Sequence, residues 1–214
     1  METALIIGVG EFGSHVAKRM EQLHCEVMAV DVSEERINEI LPFVTNAIIG
    51  DGTNEEFLRS LGVGNYDVCI VALGGLFQSS LETTSLLSEL GAKKVVSRAT
   101  NDLQQKFLLR NGADEVVYPE KQMAVRIATK YASDSILDFI SLDNSYSIYE
   151  LKVPRDWCGK TLAQLDIRKK YNVNILTVKR NGDVFIPSPD TFMQTDDVAF
   201  VIGEEHDIHK CFKI

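Results

Sequence analysis

The sequence predicts a doubly wound α/β domain followed by a small α+β domain. Up to Tyr118, six apolar runs of strand length alternate with helical stretches. That alternation is typical of a parallel sheet with helices on both faces. From Tyr146 onward, apolar and polar residues alternate with period two, which indicates antiparallel strands with one exposed face. A chain of 214 residues has room for both domains.

The strands of the first domain are predicted from short apolar runs, because a run without alternation indicates burial on both faces. They are expected at Ala4–Val9, Glu26–Val30, Ala47–Ile49, Asp67–Leu73, Lys94–Arg98 and Glu115–Tyr118. The intervening helices are predicted from apolar residues three or four positions apart. Ser33 and Thr53 are the expected N-caps of the second and third helices, and the fourth helix is expected over Leu76–Leu90.

A connecting element follows the sixth strand. Pro119 fits the first turn of a helix, and apolar residues at helical spacing continue through Ile140 with a break at Ser133-Asp134. Farther on, Asn181-Gly182 is a hairpin signal between two strands. We therefore assign residues 1–133 to the first domain with the start of the connecting helix, 134–145 to a connector and 146–214 to the second domain.

Composition limits the classes of function. The formal net charge of −9 opposes binding to nucleic acid, because phosphates need a basic face. The four cysteines have no metal-binding or disulfide spacing, which favours a reducing compartment. No apolar run approaches the roughly 18–20 residues of a membrane-spanning helix, and no secretory signal is visible. We expect a cytoplasmic protein.

A glycine-rich loop follows the first strand. Gly8-Val9-Gly10-Glu11-Phe12-Gly13 fits G-x-G-x-x-G at the start of a helix, and Asp31 ends the next strand 23 residues after Gly8. This context is the Rossmann dinucleotide fingerprint. The helix N-terminus can bind phosphate, and Asp31 can bind ribose hydroxyls while disfavouring NADP. The predicted nucleotide site therefore includes Gly8, Gly10, Glu11, Phe12, Gly13 and Asp31; a glycine turn without ligand is the alternative.

Further residues lie at the same carboxyl edge of the predicted sheet. Asp51-Gly52-Thr53 follows the third strand and Gly74 follows the fourth, so both are predicted to border the nucleotide, with plain turns as the alternative. A catalytic site is not indicated. His15 and His24 lie on the first predicted helix, and His206 and His209 share one side of the last helix without a third metal ligand. Neither a nucleophile-elbow motif nor zinc-ligand spacing occurs in the sequence. The pattern favours binding over catalysis.

These residues together resemble the RCK (regulator of K⁺ conductance) family, and in particular the cytosolic regulatory subunits of Ktr/Trk-type bacterial potassium uptake systems. The resemblance covers the whole chain in the family's order. It rests on Gly8–Gly13, Asp31, Gly50-Asp51-Gly52-Thr53, Val117-Tyr118-Pro119-Glu120, Asp166-Ile167-Arg168-Lys169-Lys170-Tyr171 and Asn174-Ile175.

The resemblance implies a regulatory protein that is not an enzyme. Such subunits form homodimers that assemble into an octameric ring under a membrane potassium channel or transporter. The ring lies at the inner face of the plasma membrane through its partner. The bound nucleotide, which is ATP or ADP or alternatively NAD(H), determines the shape of the ring and thereby controls K⁺ flux. The second domain is expected to be of the RCK C-terminal (TrkA-C-like) type.

The resemblance also implies individual roles. Arg98 would lie near the terminal phosphate, and Glu120 would bind a divalent cation or Na⁺ at the dimer interface. Arg168, Asn174 and Ile175 match positions that bind cyclic di-AMP in some members. The alternatives are an ion pair for Arg98, a carboxylate stabilised by a helix dipole for Glu120, and ordinary surface and core positions for Arg168 and Ile175.

One position departs from the family's pattern. Many Ktr-type members carry arginine within the glycine loop where this chain has Glu11. A glutamate repels a γ-phosphate, so Glu11 favours ADP, NAD(H) or compensation by a bound cation over unassisted ATP binding. Two other functions also stay open: a stand-alone nucleotide sensor for a soluble partner, and an NAD-dependent reductase.

Overall fold

The computed structural model describes residues 2–75, 77–142 and 145–214. It divides into two compact units, Met1–Glu120 and Lys121–Ile214. Leu76, where the sequence predicts the start of the fourth helix, and Asp143 and Asn144 of the expected connector lie outside the described residues. In the part of the chain that is described, no helix is both long and apolar enough to cross a membrane.

The first unit is built on a parallel sheet, as predicted. Neighbouring strands run parallel in the order β3-β2-β1-β4-β5-β6, which is the doubly wound arrangement. The chain reverses its direction of strand addition between β1 and β4, and ligands of such sheets bind at that point. The strands are Thr3–Ile7 (β1), Glu26–Asp31 (β2), Asn46–Ile49 (β3), Val68–Val71 (β4), Val95–Arg98 (β5) and Glu115–Val117 (β6).

Helices connect these strands. They are Glu11–Gln22 (α1), Glu34–Ile40 (α2), Glu55–Ser60 (α3), Phe77–Glu89 (α4) and Asp102–Arg110 (α5). Helix Pro119–Ala132 (α6) follows β6, and the boundary between the two units falls after its second residue, Glu120. Ser33 caps α2 as predicted, since its side chain accepts a hydrogen bond from the Arg36 N–H. The predicted Thr53 cap of α3 is wrong. Asn54 is the cap and accepts from the Phe57 N–H at 2.9 Å, whereas Thr53 hydrogen-bonds to Asp51.

The central strands are buried on both faces. Leu5 and Ile7 of β1 pack with Leu58 and Leu87 on one side of the sheet. Ala4 and Ile6 pack on the other side with apolar residues that include Ala17. The uninterrupted apolar runs of β1 and β4 follow from this double burial. Because β1 and β4 pair in parallel, with Ile7 opposite Val71, their carboxyl ends lie beside each other.

The second unit contains an antiparallel sheet. Its strand order is β10-β9-β11-β8-β7. The core includes Tyr149, Leu151, Val178 and Ile208, all of them fully buried. The strands are Ile136–Ser141 (β7), Tyr146–Lys152 (β8), Asn174–Arg180 (β9), Asp183–Phe185 (β10) and Val198–Glu204 (β11); the helices are Leu162–Leu165 (α7), Ile167–Tyr171 (α8) and Glu205–Phe212 (α9).

The hairpin predicted at Asn181-Gly182 is confirmed. Asn181 and Gly182 link β9 to β10, and their φ angles of 53° and 95° are both positive, as a two-residue hairpin turn of type I′ requires. Arg180, the last residue of β9, donates two hydrogen bonds of 2.7 and 2.8 Å to the buried carboxylate of Asp197. This pair ties β9 to the start of β11.

The helix predicted to continue to Ile140 is wrong beyond Ala132. Helix α6 ends at Ala132, and Ile136–Ser141 is strand β7, which pairs with β8. A short apolar run fits either a helix or a strand. Pairing with the exposed backbone of β8 decides the outcome, because it satisfies N–H and C=O groups that a free sheet edge would leave open.

Candidate functional site

The glycine loop lies between β1 and α1 and brings these elements into close contact. A Cβ atom at Gly13 would lie 1.9 Å from the carbonyl oxygen of Gly8, so no side chain fits there. A Cβ atom at Gly10 would meet nothing within 4 Å. Gly13 is therefore required for packing of the helix on the loop, whereas the space beside Gly10 is open to a ligand.

Helix α1 offers its N-terminus at this loop. Gly10 is the N-cap, and no side chain caps the helix. The first-turn N–H groups and the dipole of a 12-residue helix favour an anion at this end. Glu11 and Phe12 begin the helix, and the exposed Glu11 carboxylate opposes a second negative charge. The loop therefore both attracts phosphate and limits how much negative charge it accepts.

Asp31 joins the end of β2 to the glycine loop. It is only 4% exposed. One carboxylate oxygen accepts a hydrogen bond from the Val9 N–H at 2.9 Å, and the other accepts from the Ser33 N–H at 2.9 Å. Arg36 approaches the first oxygen at 3.5 Å. A carboxylate has about four acceptor sites, so Asp31 can hold the loop and still bind a ribose hydroxyl. The loop-holding part of this role was not predicted.

A cavity of about 180 Å³ lies beside the loop and is lined by residues of α1 and α2. Two cations, Lys18 and Arg36, face it together with Glu11 and Glu39. These cations can offset the charge of Glu11 or of a ligand phosphate. Sequence reasoning missed both, because no motif marks them. The available signal was weak: Arg36 follows the predicted ribose acid by five residues.

The polar groups of the turn after β3 form hydrogen bonds within the turn and with α4. The Asp51 carboxylate accepts hydrogen bonds from the Thr53 N–H at 2.9 Å and the Thr53 hydroxyl at 2.8 Å. The Gly52 carbonyl accepts from the Thr83 hydroxyl at 3.0 Å. A Cβ at Gly52 would collide with Ile7 at 2.5 Å. This geometry explains the residues as a packed turn at the carboxyl edge, and Asp51 is the exposed side chain among them.

Arg98 lies at the end of β5 and is held on two sides. Its guanidinium carbon lies 5.3 Å from the centroid of the Phe12 ring. On another side it packs on Gly74, where a Cβ would come within 3.0 Å of the guanidinium. The guanidinium also forms an ion pair with Glu120, the second residue of α6. The structure thus brings together four residues predicted for the site from four separate segments.

The charges of this cluster are well defined. A hydrogen bond from its own backbone N–H, helped by Arg98, holds the pKa of Glu120 below its ordinary value against partial desolvation. The Arg98 side chain is 21% exposed and that of Glu120 is 54% exposed. The Arg98 Nε atom is buried, and no described residue accepts a hydrogen bond from it. One donor of the guanidinium is therefore unsatisfied by the described residues.

A cation at Glu120 is not supported by one chain alone. Among the described residues, no three His, Cys, Asp or Glu side chains come together as metal ligands. Glu120 instead pairs with Arg98.

The second unit has a cavity of its own, of about 290 Å³. Arg168 of α8 and Asn174 and Ile175 of β9 line it, together with apolar residues that include Pro187 and Pro189. The three residues singled out for a second ligand therefore share one cavity. It combines a cation, an amide and apolar surface, which suits a ligand with a phosphate and a base.

Two family models match the chain. The TrkA-N domain matches residues 4–119 and the TrkA-C domain matches residues 147–214. The chain is 39% identical over 206 residues to Ktr system potassium uptake protein C of Bacillus subtilis, with 96% of this chain and 93% of the relative covered. Ktr system potassium uptake protein A of the same organism is 36% identical, with the same coverage.

Solved structures share the fold. The GsuK channel matches with a TM-score of 0.70 at 17% identity, over 97% of this chain and 38% of the channel chain. The GsuK channel bound to NAD also has a TM-score of 0.70, over 98% of this chain and 38% of that chain. The chain thus spans well under half of GsuK. The two family models together with relatives more than one-third identical along nearly the whole chain show that it belongs to the RCK family, among the relatives of the Ktr potassium uptake proteins.

Proposed function

We propose that the chain is a cytoplasmic, nucleotide-binding regulatory subunit of a membrane potassium channel or transporter. One observation carries the proposal. The glycine loop, Asp31 and Arg98 meet at one edge of the sheet, in a chain related along 96% of its length to a Ktr potassium uptake protein. These groups bind phosphate and ribose, so we propose regulation by binding, without catalysis.

ATP and ADP are the first candidate ligands, and NAD(H) is the alternative. The N-terminus of α1 and the Arg98 guanidinium are two separate attractions for phosphate. Glu11 weakens the attraction for a γ-phosphate, while Lys18 and Arg36 in the adjoining cavity oppose that effect. Asp31 disfavours a phosphate on the ribose 2′ position. The balance of these charges makes ADP the expected tighter ligand in the absence of divalent cations.

The assembly proposed is a homodimer that builds an octameric ring on its membrane partner. Helix α6 supports an interface, because none of its residues is buried in a single chain. Met123, Val125, Ile127 and Tyr131 of this helix are between 50% and 78% exposed, and such apolar faces mark protein contacts. A divalent cation or Na⁺ at Glu120 is proposed only for this assembled state, in which a second copy can supply ligands.

Cyclic di-AMP is proposed as a ligand of the second unit. The cavity of Arg168, Asn174 and Ile175 measures about 290 Å³, near the lower end of the ~300–1,000 Å³ of small-molecule sites. Arg168 would bind phosphate and Ile175 would pack on a base. The modest volume favours a site completed by the same surface of a second copy.

The test is the native mass of the purified chain by light scattering, alone and with ADP or ATP, joined to calorimetric titration with ADP, ATP and NADH. We expect tight nucleotide binding and a mass of eight subunits that responds to nucleotide. Binding with a stable dimer under every condition would favour a stand-alone sensor. NADH oxidation with an added acceptor would favour a reductase. Absence of nucleotide binding would overturn the proposal.

A further inference from the structure

We propose that Glu120 is an internal competitor of the ligand's phosphate at Arg98, and that it thereby sets the affinity of the site for phosphate-bearing ligands. This inference rests on the proposed nucleotide-binding function. It assigns Glu120 a role within a single chain, independent of any cation. The argument depends on how Arg98 is held, which of its donors are occupied, and how easily Glu120 can leave.

The Arg98 guanidinium has a fixed place. Its central carbon lies 5.3 Å from the centroid of the Phe12 ring. It also packs against Gly74, where a Cβ atom would lie only 3.0 Å from the guanidinium. Because Phe12 lies in the first turn of α1, the guanidinium is close to the helix end that attracts phosphate. Arg98 is therefore a side-chain cation beside the place where a phosphate at the loop would bind.

Glu120 uses only part of the donor edge of Arg98. Its carboxylate accepts from Nη2, and Nε, on the same edge of the planar guanidinium, is buried without an acceptor among the described residues. A phosphate that replaces the Glu120 carboxylate at this edge can bind Nε and Nη2 together, in the bidentate geometry that guanidinium groups favour. A ligand phosphate thus satisfies a buried donor that Glu120 leaves unsatisfied.

Glu120 can leave at low cost. Its side chain is 54% exposed, so water can solvate the freed carboxylate. A hydrogen bond from its own backbone N–H keeps it stable as an anion in the first turn of α6. Exposed ion pairs are worth little, so the competition is expected to lower the affinity for phosphate-bearing ligands by roughly two- to fivefold. Adenosine, which has no phosphate, is expected to be insensitive.

The experiment is calorimetric titration of the full chain with ADP, ATP and adenosine in EDTA. The variants are Glu120→Gln, Glu120→Ala, Arg98→Ala and the double variant Arg98→Ala/Glu120→Gln. Glu115→Gln is the matched control, because Glu115 forms an exposed ion pair with Lys94 at the other end of β6. Thermal unfolding of each variant separates changes in affinity from changes in folding.

We expect Glu120→Gln and Glu120→Ala to bind ADP and ATP roughly two- to fivefold more tightly than the parent chain, with adenosine and the control unchanged. In the Arg98→Ala background, Glu120→Gln should have no effect. Unchanged or weaker ADP and ATP binding by both Glu120 variants would overturn the competition while the proposed function stands. If the parent chain binds neither ADP nor ATP, the competition is overturned. If it also fails to bind NADH, the proposed function is overturned with it.

Discussion

The carboxylate of Asp31 accepts a hydrogen bond from the backbone N–H of Val9 at 2.9 Å, inside a site where both residues are only 4% exposed. The acid that ends β2 thus holds the middle of the glycine loop through a contact within the protein itself. If Asp31 also binds ribose, as proposed, the stability of the loop and the affinity for nucleotide depend on the same side chain.

Replacing Asp31 with alanine should therefore affect both properties. The Val9 N–H would be left buried without its acceptor, which costs about 1–3 kcal/mol of unfolding free energy. Nucleotide affinity should fall as well. Urea unfolding and calorimetry measure the two effects, with Glu35→Ala on the exposed face of α2 as the control. Unchanged nucleotide affinity would rule out the ribose contact, and unchanged stability would rule out the anchoring role.

Two glycines of the same loop should give opposite phenotypes. Gly13→Ala places a Cβ 1.9 Å from the Gly8 carbonyl oxygen, so it should lower stability by about 1–3 kcal/mol. Gly10→Ala meets nothing within 4 Å, and its φ of −64° suits alanine. It should fold normally, yet bind nucleotide about tenfold more weakly because the methyl group fills the approach of phosphate. Thermal unfolding and calorimetry separate the two cases, and equal behaviour of the two variants would contradict these assignments.

In the second unit, Asp197→Asn should lower the free energy of unfolding at neutral pH and should make it less dependent on pH in the acidic range. Burial alone would raise the pKa of Asp197, but hydrogen bonds from Arg180 and the Gln194 N–H outweigh it and lower the pKa. A lowered pKa means that the stabilisation is present above the ordinary carboxyl pKa of about 4 and is lost as pH falls through the lowered value.

The size of that effect follows from the burial of the pair. Asp197 is fully buried, so leaving Arg180 without its partner should cost about 3 kcal/mol at pH 7. Urea unfolding from pH 7 to pH 3 can be followed by the single tryptophan, Trp157, which lies in this core. The parent chain should lose stability faster than the variant on acidification, and Asp183→Asn on exposed β10 is the control. Parallel pH profiles would argue against the pair.

Arg168→Ala should weaken cyclic di-AMP binding by about tenfold or more, because the guanidinium supplies the cation of the second cavity. ADP and ATP titrations should not change. Lys169→Ala is a close control, since Lys169 is the next residue on α8 and is absent from the cavity lining. Equal losses in the two variants would point to general surface charge instead of a specific contact.

The sequence alone was sufficient to predict the arrangement of those candidate-site residues that lie within one βαβ unit. Gly8, Gly13 and Asp31 belong to one βαβ unit, and steric and hydrogen-bonding requirements fix their spacing. The contact of Arg98 with Glu120 was not predicted, because it joins the end of β5 to the start of helix α6, 22 residues away, and depends on how β5 and β6 lie side by side. Arg98 and Glu120 could be singled out individually, but not as partners.

The errors in the fold have a similar origin. Ile136, Leu137 and Ile140 fit a helical stripe, yet pairing with β8 makes them a strand. Thr53 and Asn54 are both good cap residues. The choice of Asn54 follows from the Asp51 carboxylate, which already binds the Thr53 hydroxyl. In both cases a tertiary or neighbouring contact decides between local patterns that sequence reasoning alone leaves equivalent.

The position of Arg98 between Phe12 and Gly74 has a thermodynamic consequence for recognition. A long, flexible side chain that is ordered only on binding loses up to about 2 kcal/mol of rotamer entropy at that moment. In this chain folding already immobilises the guanidinium, so the ligand does not bear that loss. The site is preorganised, and the contribution of Arg98 to affinity is expected to be mainly enthalpic.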